Sequence, residues 1–192
     1  MAILVSGRNV LLRDRQSSDA DRYVYWLDHG EWGEYDAPWE RVGRKPLTAE
    51  RKEELRARYV ASCARAKRTP RGRAVIATGT SRPLGWVNRY SKEGVPDPVY
   101  VGICICEDAY LNRGFGTEAL RLWVGYLFAH SKVATLGLET WSFNPRMVRA
   151  AEKAGFEHDQ VYPKEMQWQG EWLDLVTFRM ERSAWQTAVA GS

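Results

Sequence analysis

The sequence predicts an α/β fold of the α+β type, in which a central mixed, mostly antiparallel sheet is flanked by helices. Three observations carry that expectation. The apolar residues 99–106 pass through a glycine-containing segment into an amphipathic stretch, so a strand hands over to a helix. Two pairs of β-rich segments are joined by turns containing Gly79 and Gly170, the usual closure of an antiparallel hairpin. Helical and extended segments alternate, but without the even spacing of a regular βαβ array.

Residues 10–13 read as an opening strand, after which Ser18 and Asp19 supply N-cap chemistry for a helix ending near Leu27. Residues 28–46 have no clear period. Thr48 caps a strongly helical stretch from Ala49 to about Lys67, in which Leu55, Tyr59 and Cys63 recur every four residues as a buried stripe. Pro70 and Gly72 end it. Residues 74–77 and 84–87 form an antiparallel pair, and residues 94–98 a loop. Residues 99–106 are apolar on both faces and therefore belong at the sheet centre. Residues 117–131 are helical with Leu120, Trp123 and Leu127 on one face, 133–140 form a strand and 144–154 a helix. Gly155 fits the left-handed position that ends this helix. Residues 156–168 and 172–180 make the last hairpin, and Ser183, Ala184 and Trp185 close the fold.

A chain of 192 residues supports one full hydrophobic core, so residues 1–192 are expected to form a single domain. Nine tryptophans exceed what such a core needs, and some of them are expected to line a site. Three cysteines, with no secretory pattern, argue against a disulfide framework and for a cytoplasmic location. No apolar run reaches the length of a membrane helix. Cys104 and Cys106 share a strand face but lack a second pair, and His29, His130 and His158 are scattered, so no metal site is expected. Charge is uneven: residues 21–40 hold six acids against Arg22, while residues 41–73 hold twelve Lys and Arg against three Glu. Without a nucleic-acid motif the basic stretch reads first as a solvated helix face, with a ribosome- or RNA-associated protein as the alternative.

The chemistry concentrates at Asn112, Arg113, Gly114, Phe115, Gly116 and Thr117. Where a strand turns into a helix, unpaired N–H groups and the positive end of the helix dipole converge on one spot, which suits an anion. Gly114 and Gly116 carry no Cβ to hold a phosphate away, Arg113 adds charge and Thr117 a hydroxyl. The missing third glycine, with Ala119 in its place, argues against a dinucleotide loop, and the absence of Gly-Lys-Ser/Thr excludes a Walker loop. Alone, the loop is compatible with an anion site or with an unliganded helix start.

A second pattern follows the strand Leu136-Gly137-Leu138-Glu139-Thr140, where Asn144 begins a helix ending Glu152-Lys153-Ala154-Gly155-Phe156. Together these resemble the GNAT superfamily of acyl-CoA-dependent N-acyltransferases, across roughly residues 10–185. Gly-Phe-Gly-Thr-Glu-Ala at 114–119, Gln-Gly-Glu-Trp-Leu-Asp at 169–174 and the later Trp185 look most like its ribosomal-protein N-terminal acetyltransferase branch. The resemblance implies splayed central strands, with Cys104, Ile105 and Cys106 pairing with the pantetheine of acetyl-CoA, residues 112–117 on its pyrophosphate and Asn144 on the pantetheine arm. It implies acetyl transfer to a primary amine, with Glu139 as general base. The family pattern is broken at Leu111, where Arg or Gln is usual, at Met147, where the branch often has Ser, and at Ala151, where a proton-donating Tyr is usual. Tyr110, Tyr162 or water are left to protonate the thiolate, and a CoA-binding module without catalysis is the alternative. Trp32, Glu34, Tyr35 and Trp39 lie in the region that borders the family's acceptor groove, and aromatic faces among carboxylates suit a cationic amine. The acceptor is then a peptide N-terminus or small cationic amine, and the protein a monomer or homodimer.

Overall fold

The computed structural model describes residues 2–43, 45–65 and 68–190. Strands β1 (Ile3–Ser6) and β2 (Val10–Arg13) lead into α1 (Ala20–Asp28), the one-turn helix α2 (Trp32–Tyr35) and α3 (Ala49–Cys63). Strands β3 (Arg73–Thr78), β4 (Pro83–Lys92) and β5 (Val95–Ile105) follow, then α4 (Phe115–His130), β6 (Thr135–Trp141), α5 (Pro145–Ala154), the hairpin β7 (Glu157–Trp168) and β8 (Glu171–Glu181), and α6 (Arg182–Ala190). All eight strands form one sheet in the order β1-β2-β3-β4-β5-β6-β8-β7. Every neighbouring pair is antiparallel except β5 and β6, which the crossover through α4 makes parallel. Those two meet only at Val99–Leu136 and Tyr100–Gly137 and then diverge, leaving the sheet open at its centre.

The local signals explain most boundaries. Thr48 Oγ1 accepts from the Arg51 N–H, and Asn144 Oδ1 accepts from the Met147 N–H at 3.0 Å, capping α3 and α5. Gly155 ends α5 at φ +98°, a conformation that costs glycine little. Other expectations change. Residues 94–98 are not a loop: Glu93 and Gly94 make a tight turn, and β5 already pairs with β4 at Val95. The prolines that signalled a loop precede Val99, where pairing with β6 starts, so neither is asked for an N–H on that side. Helix α3 ends at Cys63, and Lys67, its expected end, lies outside the described residues. Residues 28–46, aperiodic in sequence, hold α2 and a 3₁₀ turn at Pro38–Arg41.

The two faces of the sheet carry different cargo. Leu120, Trp123, Val124 and Leu127 of α4 pack with Ala74, Ile76, Val87, Val101, Leu136 and Leu138, a fully buried core in which Trp123 donates to the Asn88 carbonyl at 3.0 Å. On the opposite face Tyr23 and Trp26 of α1 and Trp32 of α2 surround Trp86 of β4, with ring centroids 5.4–6.1 Å away. At Gly85 of β4 an added Cβ would lie 1.9 Å from the Cys104 carbonyl oxygen of β5. Backbone cannot rotate away as a side chain does, so Gly85→Ala is expected to destabilise the protein by about 1–3 kcal/mol, measured by urea denaturation.

Glu107, just past β5, is 5% exposed and accepts from both Arg22 and Trp26 of α1, with Arg82 3.3 Å away. Burial raises its pKa, but the Arg22 guanidinium and the Trp26 indole outweigh it and hold the carboxyl below its ordinary 4.5. A carboxyl held low contributes stability above its unfolded value and loses it as pH falls through the folded one. Glu107→Gln is therefore expected to be less stable than the parent at pH 7 by about 2 kcal/mol. That gap should close as the pH is lowered below 4.5, read from urea midpoints across the acid range.

Candidate active site

The gap between β5 and β6 opens into a cavity of 1570 Å³ that reaches both faces of the sheet. Side chains alternate along a strand, so this can be read from the register. Leu138 and Thr140 face α4 and α5, whereas Glu139 and Trp141 face the other way, and all four line the cavity. Ile103 and Ile105 line it from one face of β5, Gly102 and Cys104 from the other. Beyond Tyr100 no strand pairs with β5 on its β6 side, so backbone groups there face the gap.

The wall on the α4 side is basic and rich in backbone donors. After a 3₁₀ turn at Asp108–Tyr110, Asn112 takes φ +57° and Gly114 φ +85°, and Gly114 caps α4 without a side chain to satisfy the first-turn N–H groups. Asn112, Gly114, Gly116 and Thr117 line the cavity, as does Leu111. Arg113 and Phe115 do not: Arg113 donates to the Ala109 carbonyl at 3.1 Å, and Phe115 packs edge-on against Tyr110. Four further cations, Arg8, Arg121, Arg149 and Lys153, line this wall. A helix N-terminus, left-handed glycine and clustered cations together fit a pyrophosphate.

Asn144 bridges the two walls, capping α5 while its Nδ2 donates to the Tyr35 carbonyl at 3.1 Å. Across the gap, Glu139 Oε1 accepts from the Tyr90 hydroxyl at 3.1 Å, and Oε2 lies 2.7 Å from Lys92 Nζ. The Glu139 side chain is 21% exposed. Burial, followed by the Glu139 charge, pushes the Tyr90 hydroxyl up, and Glu139 also raises the Lys92 ammonium. Tyr110 lines the cavity, Tyr162 does not, Met147 presents a thioether and Ala151 is buried in the core.

Of the acceptor-side residues, Trp32 and Tyr35 line the cavity. Glu34 and Trp39 are outside the lining, and Trp39 packs edge-on against Trp141 and Trp168. Asp36 lines it instead of Glu34; burial and then the Glu40 charge raise its pKa. Cys104 reaches the cavity, whereas Cys106 is 3% exposed, gives its N–H to the Leu84 carbonyl, and has a thiol pushed up by burial. Sequence reasoning passed over Trp86, Asn88 and Tyr90, cavity residues on one face of β4. Their period of two around the buried Val87 was a signal of a lined strand face. Within residues 41–73, Arg51, Lys52, Arg56, Arg58 and Arg71 are committed to ion pairs, chiefly with acids of α1, α3 and Asp14. Among the described residues no three His, Cys, Asp or Glu converge as metal ligands, and no helix is long and apolar enough to cross a membrane.

The family model described as the acetyltransferase (GNAT) domain matches residues 9–157. The chain belongs to the GNAT family. It is an acyl-CoA-dependent N-acetyltransferase by that membership. No curated protein matches its sequence. A GNAT-family acetyltransferase from Bacillus anthracis superposes with a TM-score of 0.71 at 16% identity, over 93% of this chain and 98% of its own. Spermidine N-acetyltransferase from Vibrio cholerae, solved with CoA and spermine, gives 0.67 at 18% identity over 92% and 98%. The ribosomal L7/L12 α-N-protein acetyltransferase RimL, solved with CoA, gives 0.70 at 12% identity over 95% and 99%. At these identities the likeness is one of fold, and the ribosomal enzyme is one neighbour among several.

Proposed function

We propose that the protein transfers the acetyl group of acetyl-CoA to a primary amine that enters beside Trp32, Tyr35 and Asp36. The observation that carries this reading is the cavity's continuity through the β5–β6 gap, from the cation-rich start of α4 to the wall holding Glu139. In this reading the N–H groups of residues 114–117 and the neighbouring cations hold the pyrophosphate, with Asn112 beside them. The open edge of β5 at Ile103, Cys104 and Ile105 pairs with the pantetheine, and Asn144 fixes the gap's width by joining α5 to α2. Acetyl-CoA supplies a thioester. The acceptor nitrogen attacks its carbonyl carbon, the carbon–sulfur bond breaks, and the nitrogen's proton passes to Glu139 directly or through water. The departing thiolate takes a proton from Tyr110 or water, since neither Met147 nor Ala151 offers one.

The acceptor on this reading is a peptide N-terminus or a small amine. By their names, the Vibrio cholerae neighbour acts on a polyamine and the ribosomal neighbour on a protein N-terminus. Residues 1–192 act as one cytoplasmic domain, as a monomer or homodimer. Release of CoA thiol is the test, run with acetyl-CoA over a panel of primary amines and N-terminal peptides. Amine-dependent release is expected. Tight acetyl-CoA binding with no release on any acceptor would overturn the reading.

A further inference from the structure

The acceptor wall contains a cation that the transfer reaction does not use. Arg73 of β3 lies in the same sheet row as Asn88 of β4 and Gly102 of β5, and its guanidinium stacks on the Trp86 ring at 4.5 Å. Its Nε is buried without a hydrogen-bond partner, and it lines the main cavity. Among the described residues no carboxylate forms an ion pair with it. Burial holds its pKa below the ordinary value, and the charge of Arg15, a second cation, pushes the same way. Asp36, on the same wall, feels Arg73 but pairs with it no more than with Arg41, which stacks on Trp32 at 4.3 Å and also keeps a buried nitrogen unpartnered. A desolvated cation beside another cation is costly unless an anion completes it. The cavity is the side from which one arrives.

Resting on the transferase reading, we infer that Arg73 is a specificity-determining residue that receives an oxoanion of the acceptor, so that the preferred acceptor is an amine that also carries a carboxylate. Arg73 and Glu139 lie on one face of the sheet, on β3 and β6, with β4, β5 and the opened β5–β6 gap between them. An acceptor that reaches both groups therefore carries its amine and its carboxylate several bonds apart. Asn88 Oδ1 lies 2.8 Å from where a Gly102 Cβ would be, so the floor between the two groups is kept free of a further side chain.

The test pairs acceptors that differ only in the carboxylate: 4-aminobutyrate against butylamine and 6-aminohexanoate against hexylamine, with thiol release as readout. A charge-assisted contact is expected to favour the ω-amino acid by roughly 10- to 100-fold in kcat/KM. Arg73→Met is expected to bring that ratio near unity, and Arg73→Lys, which keeps the charge but loses the planar fork, to an intermediate value. A ratio within one variant does not depend on how much of that variant folds. Peptide amides beginning Ala-Glu and Ala-Gln locate the carboxylate's source, since a preference confined to the peptide pair places it on an acidic side chain. Equal or better use of the plain alkylamine and of the Ala-Gln peptide by the parent enzyme would overturn the inference while leaving the transferase reading intact. If no amine releases thiol, the transferase reading falls. The anion site is then judged on the CoA-loaded protein by tryptophan fluorescence with 4-aminobutyrate and butylamine, where tighter 4-aminobutyrate binding that Arg73→Met abolishes supports it and equal binding overturns it.

Discussion

Glu139→Gln is expected to lower kcat on the order of 100-fold on a good acceptor, the usual contribution of a positioned general base. An alkylammonium with a pKa of roughly 10.4 is mostly charged at neutral pH, and glutamine cannot take its proton. The residual rate of the variant should therefore climb with pH toward the amine's own pKa, while the parent levels off earlier. The KM for acetyl-CoA should stay near its parental value, because the pyrophosphate wall lies on the other face of the sheet. Tyr90→Phe removes the hydroxyl that donates to Glu139 and leaves the carboxylate with its Lys92 ion pair, so its loss should be smaller. A pH–rate profile for Glu139→Gln that overlays the parent's would remove Glu139 from the chemistry and leave it as a strand-end ion pair with Lys92.

The largest effect on stability is expected from the pair that joins β2 to the start of α1. Arg13 and Asp19 have side chains only 1% and 5% exposed and share two hydrogen bonds of 2.7 Å. Arg13 also donates to the carbonyls of Asp14 and Ser81, and Asp19 accepts from the Gln16 N–H and the Tyr59 hydroxyl. Asp19→Ala strands a buried guanidinium and should cost about 3–5 kcal/mol in urea denaturation. Replacing both partners, Arg13→Met with Asp19→Leu, should cost much less than the single change, because no charge is left uncompensated. Equal losses in the two proteins would show that packing around α1, not the charge, dominates.

Where local chemistry decides structure, the sequence was readable. The Asn144 cap, the left-handed Gly155, the turn at Gln169 and Gly170 and the apolar stripe of α4 each signal themselves within a few residues. The four-residue edge strand β1 is too short to show a period. Helix α2 is held in part from afar: Asn144 Nδ2 donates to the Tyr35 carbonyl at its end, while the Trp32 indole donates to the nearby Trp26 and His29 carbonyls. The same distinction runs through the site. The glycine loop is contiguous and legible, whereas the wall built by Arg73, Trp86, Tyr90, Lys92 and Glu139 comes from three strands that only pairing brings side by side. Neither the resemblance that implies a Cys106 contact with pantetheine nor the charge that Arg113 brings to the loop shows which way the two side chains turn. Cys106 is turned into the interior and Arg113 toward Tyr110.

The position of bound CoA decides most directly whether the β5–β6 gap is the cofactor site. A structure determined with CoA is expected to place the pyrophosphate oxygens about 3 Å from the N–H groups of residues 114–117, with the pantetheine laid along Ile103–Ile105 in the gap between β5 and β6. CoA bound anywhere else on the protein, with that gap empty, would contradict it.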